Sequence, residues 1–306
     1  MFAPPPVIET EVFARLPEKF RSPGKRSEWL EEQPRGNPCH SLLEGPSFDR
    51  DGNLYLVDIP FGRVFRLSPQ GDWTLITEYD GEPNGLKIHR DGRIFIADYK
   101  NGIVLLDPDS GAVTPVLERV HLERLKAVND LVFASNGDLY FTDQGLTGLH
   151  DPTGRVFCLR ANGDVDCLLD NVPSPNGIVL NPAETMLYVA VTRANSVWRA
   201  PLMPRGRVAK VQNFIQLSGG GGPDGLAMDS EGGLFVAHIG MGAIWGFTPR
   251  GEPAFRIQSC EGLHNTNMAF GGPENRDLYI TESESGCILR ARLPVAGQPM
   301  FSHMEV

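Results

Sequence analysis

Six oxygen-bearing side chains stand at one recurrent place along this chain of 306 residues. They are Glu44 in EGPSF, Asn84 in PNGL, Asn129 in VNDL, Asn176 in PNGI, Asp224 in PDGL and Asn267 in TNMA. Each precedes, by 10 or 11 residues, an apolar residue that opens a second apolar run: Leu54, Ile94, Leu139, Leu187, Leu234 and Leu278. Carboxylate and amide oxygens, with no sulfur and no imidazole among them, suit one hard divalent cation. Calcium fits best, with Zn2+, Mg2+ and Mn2+ also open. Two carboxylates neutralise its charge, and the amides complete its coordination without adding more. Turn chemistry is the competing reading, because Asn and Asp beside Gly favour tight turns. It does not account for Glu44, nor for the exclusion of Ser, Thr and Lys from all six places.

The elements that position these residues follow from the repeat. The intervals between the aligned apolar residues are 40, 45, 48, 47 and 44. That period matches one four-stranded blade of a β-propeller. A third run recurs as RVFRL, GIVLL, RVFCL, SVWRA, AIWGF and CILRA, and a fourth as WTLIT, AVTPVL, VDCLL, VQNFI and AFRI. The expected fold is therefore all-β: a six-bladed β-propeller with four-stranded blades around a central channel, one domain over 1–306. Residues 17–43 interrupt the pattern and are expected to form a loop or lid, with a short helix near 27–32. The sixth blade lacks a fourth strand, which either VIETEVF near the N-terminus or MFSHM near the C-terminus can supply.

In a propeller the innermost strands line the channel, so six equivalent positions form a ring at one mouth. The ring as a whole is the expected cation site, and Asn84 is also expected to meet substrate. Four residues beyond each aligned position stand Asp58, Asp98, Asp143, Val191, His238 and Glu282. These are expected one layer out at the same mouth, with Asp143 and His238 as further substrate contacts. His238 is also a candidate proton shuttle; a packed, hydrogen-bonded histidine is the competing reading. His40 and His264 lie near the ring in sequence and are weaker candidates. The run 219–222, GGGG, has no Lys-Ser/Thr and no helix after it, so it reads as a tight turn rather than a phosphate cradle.

Net charge is -10 and no basic run interrupts it, which excludes nucleic acid as the expected partner. No segment has the apolar length of a membrane span, so no membrane partner is expected. Five cysteines with no CxxC pair fit a reduced, cytoplasmic protein.

The phrases EGPSFDRDGNLYLVDI, VNDLVFASNGDLYFTD, PNGIVLNPAETMLYVAV and PDGLAMDSEGGLFVAH together resemble the gluconolactonase/senescence-marker-protein (regucalcin-like) family of lactonases, from Leu42 to about Leu293. The resemblance implies a six-bladed, metal-dependent hydrolase that opens a lactone. It assigns the metal to Glu44, Asn176 and Asp224, metal or substrate contact to Asn129, and the general base to Asp224; the position of His238 in the repeat makes it the second candidate base. Family members acting on sugar lactones carry an Arg two positions before the ND-motif Asn, whereas this chain has Ala127. That departure argues against a simple aldonolactone. An organophosphate or other ester hydrolase of the same architecture, and a non-catalytic binding propeller, are the alternative readings.

Overall fold

The computed structural model describes residues 4–33 and 39–305. Six sheets surround a central channel. Their innermost strands are Leu43–Phe48, Pro83–Ile88, Val128–Phe133, Pro175–Leu180, Gly222–Met228 and Asn265–Gly271. Each inner strand packs on the next, and the last packs on the first, so the ring is closed. The fold is the six-bladed β-propeller that the repeat predicts.

The core explains why the strands read as continuous apolar runs. It consists of six hydrophobic clusters, each filling the seam between two neighbouring blades. Successive side chains of a strand point to opposite faces. In Ile94–Asp98, Ile94 and Ile96 therefore enter the seam with blade one, while Phe95 and Ala97 enter the seam with blade three. Both faces of each blade are covered, so the middle strands carry no polar alternation. The outer strands are half-exposed, and there polar residues return, as in Val113–Leu117.

The N-terminal segment closes the ring. Glu11–Arg15 pairs antiparallel with Cys287–Arg292 as the fourth strand of blade six, with Glu11 opposite Arg290. Val7–Glu9, which the repeat does not foreshadow, adds a parallel fifth strand to blade five. The chain crosses between the two blades at Thr10. Its Oγ1 donates to the Gln258 carbonyl at 3.0 Å and accepts from the Cys260 N–H at 2.9 Å. The MFSHM alternative for this strand is not realised. Phe301–His303 forms a 3₁₀ turn at the far end of the channel, where Phe301 stacks on Phe133 with ring centroids 4.9 Å apart.

Within 17–43, Glu28–Glu31 is helical and Ser27 caps it by accepting from the Leu30 N–H at 3.3 Å. The lid expectation over 34–38 lies outside the described residues. No described helix is long and apolar enough to cross a membrane.

Candidate active site in the channel mouth

The six ring positions are all buried, with exposures from 3% to 8%, and all lie in the first half of an inner strand. Strand pairing shifts register at this point in every blade: after Glu44, Pro83, Val128, Pro175, Pro223 and Asn265. Such bulges bend the strand and re-aim a side chain. The glycine after the ring residue has a second cause. A Cβ on Gly177 would lie 2.4 Å from the Asp224 carbonyl oxygen, and one on Gly225 would lie 2.2 Å from the Asn267 side chain. The phrase PNG or PDG therefore combines an oxygen donor with the close backbone approach that narrows the ring.

Glu44, Asn84, Asn129, Asn176 and Asp224 line one cavity of about 590 Å³ at the channel mouth. Asn267 stands just behind it. Its Nδ2 donates to Glu44 Oε2 at 2.8 Å, and its Oδ1 accepts from the Met268 N–H at 2.8 Å. Glu44 Oε2 also accepts from the Gly45 N–H at 2.7 Å. Both bonds fall on one oxygen, and Oε1 takes no protein donor among the described residues.

The electrostatics of this mouth are unbalanced. Burial pushes the Glu44 carboxyl well above its ordinary range, and Asp224 and Asp130 push it further. Burial likewise raises Asp224, to about 7, with Asp130 adding to the effect and a hydrogen bond from Asn176 opposing it. Asp130, next to Asn129, is itself buried and raised by that burial. Three buried carboxyl groups thus share the channel head without an ion-pair partner among the described residues, although the charges of Arg193 and Lys87 oppose the upward shifts of Asp224 and Asp130 respectively. Among the described residues no three His, Cys, Asp or Glu side chains gather as a metal cluster of their own. The donor set is mixed, carboxylate plus amide oxygen. That chemistry fits a hard cation, which would relieve the mutual repulsion.

The second layer is organised differently from the expectation. Asp58, Asp98, Asp143, Val191, His238 and Glu282 are 0–1% exposed and none lines the cavity. Asp143 Oδ1 accepts from the Lys126 and Ala127 N–H groups at 2.7 and 2.9 Å, and its Oδ2 pairs with Arg155. Asp58 likewise accepts from the Leu42 N–H at 2.7 Å and pairs with Arg63. His238 is bonded at both nitrogens, to the Gly219 carbonyl at 2.9 Å and to Trp245 Nε1 at 3.3 Å. Burial holds its pKa below the usual imidazole value. The structure thus places Asp143 and His238 in the loop-bracing layer behind the wall. His40 is engaged by Ser41 Oγ at 2.8 Å, and neither it nor His264 lines the cavity.

The residues that do line it come one position later: Ile59, Tyr99, Gln144, Thr192 and Ile239. Gln144 is the centre of a polar wall. Its Oε1 accepts from Asn129 Nδ2 at 3.1 Å and from the Tyr99 hydroxyl at 2.8 Å, and its Nε2 donates to Ser174 Oγ at 3.0 Å. The rim adds Trp29, Leu146, Leu149, His150 and Arg193.

Residues 42–284 match the family described as the SMP-30/gluconolactonase/LRE-like region. The chain belongs to that family. A lactonase, drp35, of Staphylococcus aureus (strain MRSA252) is 32% identical over 243 residues, covering 75% of this chain and 72% of its own. The calcium-binding protein regucalcin of Agrobacterium tumefaciens is similar in structure, with TM-score 0.77 and 25% identity over 98% of this chain and 99% of its own. A gluconolactonase of Xanthomonas campestris superposes with TM-score 0.74 at 24% identity over 83% and 86% of the two chains, a likeness of fold. In this member of the SMP-30/gluconolactonase/LRE-like family, position 127 is a buried alanine, so no guanidinium enters the cavity from the strand that carries Asn129.

Proposed function

We propose that the channel mouth is the active site of a metal-dependent hydrolase that opens a small lactone. The reading is carried by one observation: two buried carboxyl groups, Glu44 and Asp224, line one oxygen-rich cavity and have no ion-pair partner among the described residues. The named lactonase and gluconolactonase relatives support the reaction class.

Glu44, Asn176 and Asp224 would hold one divalent cation, with calcium favoured by the all-oxygen donors and by the calcium-binding relative. Bound there, the cation supplies Lewis-acid polarisation of the lactone carbonyl. Asp224 acts as ligand and general base, because a carboxylate has two oxygens and can serve both roles. It takes a proton from the attacking water; the hydroxyl adds to the carbonyl carbon; the ring C–O bond breaks; and the proton passes to the alkoxide that leaves. Asn129 is fixed by Gln144, which leaves its second amide hydrogen and its Oδ1 to orient substrate. Asn84, between Glu44 and Asn129 in ring order, completes the polar floor. The short helix bearing Trp29 serves as a cover for the mouth. Five free thiols suit a reducing, cytoplasmic setting.

The test is acid release from a panel of neutral and substituted lactones, with and without EDTA, followed by add-back of Ca2+, Mg2+, Mn2+ and Zn2+. Turnover that EDTA abolishes and one of these ions restores is the expected result. Turnover indifferent to chelator, or turnover of organophosphate esters alone, would overturn the reading.

A further inference from the structure

Arg193 is the only Lys or Arg among the described residues that line the channel-mouth cavity. Two other arginines of this end are committed: Arg63 pairs with Asp58 and Arg155 with Asp143, behind the wall. Arg193 forms no hydrogen bond or ion pair with the described residues, although Glu32 lies on the same rim. It is nonetheless firmly placed. It sits in the 3₁₀ turn Thr192–Ala194, which Asn195 closes in a left-handed conformation at φ 51°. Thr192 anchors that turn at both sides, donating from Oγ1 to the Pro223 carbonyl at 2.7 Å and from its N–H to the Ser174 carbonyl at 3.0 Å. Pro223 precedes Asp224, so the guanidinium is carried on a turn braced against the proposed base. Its stem lies against the facing loop, since a Cβ on Gly148 would stand 3.7 Å from Arg193 Cγ.

The surroundings narrow what this cation meets. Trp29, Leu42, Ile59, Leu146, Leu149 and Ile239 make the upper cavity apolar. A polyhydroxylated ring would leave hydroxyls there without partners, which is costly. With Glu44 and Asp224 neutralised by a divalent ion, the guanidinium remains at the mouth as a cation that forms no ion pair with the described residues, Glu32 of the same rim included. Its paired N–H groups match a carboxylate in two-point geometry.

We propose that Arg193 makes this site selective for lactones that carry a carboxylate on an otherwise apolar ring. This deepens the lactone-hydrolase reading and rests on it. Arg193 is thus a specificity residue outside the ring, supplied by blade four rather than by position 127 at the entry to the blade-three inner strand.

The test compares two five-membered lactones that differ in one substituent: γ-valerolactone, with a methyl group, and the γ-lactone of α-hydroxyglutarate, with a carboxylate. Wild type should favour the carboxylated lactone by about tenfold in kcat/KM, the effect of one charge-assisted contact. Arg193→Gln should raise KM for that lactone by about tenfold while leaving kcat and all γ-valerolactone parameters within about twofold. Arg193→Lys should recover part of the loss, and added salt should erode the wild-type preference. Equal turnover of the pair by wild type would overturn the proposal. So would equal damage to both substrates in Arg193→Gln, which is what a purely structural tie to the Glu32 rim would produce. If wild type opens neither lactone, the hydrolase reading is at fault, and binding decides the proposal. Calorimetric binding of the carboxylated lactone that Arg193→Gln removes supports it, and no binding to wild type overturns it.

Discussion

The Asn267 amide donates to Glu44 Oε2 at 2.8 Å across the seam where the last blade meets the first. The two residues are separated by 223 positions in sequence, so the proposed ligand is aimed by ring closure itself. Asn267 is a positioning residue, holding one carboxylate oxygen so that the other faces the cavity. Asn267→Ala should weaken calcium binding by about 10- to 100-fold, as loss of a hydrogen bond to a ligand does. It should also shift the pH midpoint of calcium binding, a change that a general loss of stability would not produce. Calorimetric titration over a pH series checks both.

The buried carboxyls make stability depend on the cation and on pH together. Asp224 is raised from 3.8 to about 7, and Glu44 is raised as well. The folded state therefore holds protons that the unfolded state releases. The associated stability is fully present below the unfolded value of 3.8 and is lost as pH rises through about 7. EDTA-treated protein should show a Tm that falls by several degrees between about pH 5 and about pH 8. Saturating Ca2+ should flatten that slope, and Asp224→Asn should flatten it without the ion. Thermal melts of the three samples decide the matter.

The glycines of the ring phrases should resist substitution more strongly than turn glycines do. An added methyl at Gly177 meets the Asp224 carbonyl oxygen at 2.4 Å, a backbone atom that cannot turn aside as a side chain could. Gly177→Ala should destabilise the fold by about 1–3 kcal/mol and spread blades four and five. Calcium affinity should fall with it. Chemical denaturation with a parallel calcium titration measures the two effects.

Adjacent residues Asp143 and Gln144 should separate stability from binding. Asp143→Ala leaves Arg155 and two backbone N–H groups without their buried acceptor, a loss of about 3–5 kcal/mol. Gln144→Leu removes the partner of Asn129 at the cavity wall and should raise the lactone KM several-fold, with a smaller change in Tm. Melting curves and KM values for the pair test the assignment.

This contrast also marks how far the sequence could be read. The ring was legible because a repeat places equivalent residues at equivalent points, and five of the six line the mouth with Asn267 just behind it. The second layer was legible only as a layer. A strand alternates sides at every residue, so counting to Asp143 or His238 reached the bracing face, while Gln144 and Ile239 face the cavity. Tyr99 follows Asp98 by the same rule, and the repeat contained the signal for both. Arg193, Leu146 and Trp29 had no such signal, because their loops vary between blades and take their shape from tertiary contacts. The fourth strand of blade six was ambiguous for a related reason. Ring closure pairs residues almost a chain length apart, and local pattern carries no information on that choice.

The central claim is that one cation bound by Glu44, Asn176 and Asp224 is required for lactone opening. The most direct measurement titrates Ca2+ into EDTA-stripped protein while following acid release from the same sample. Binding of one ion per chain, with hydrolysis rising in proportion to occupancy and both lost in Asp224→Asn, is the predicted result. Hydrolysis at full rate in the stripped protein, or undiminished in Asp224→Asn, would contradict it.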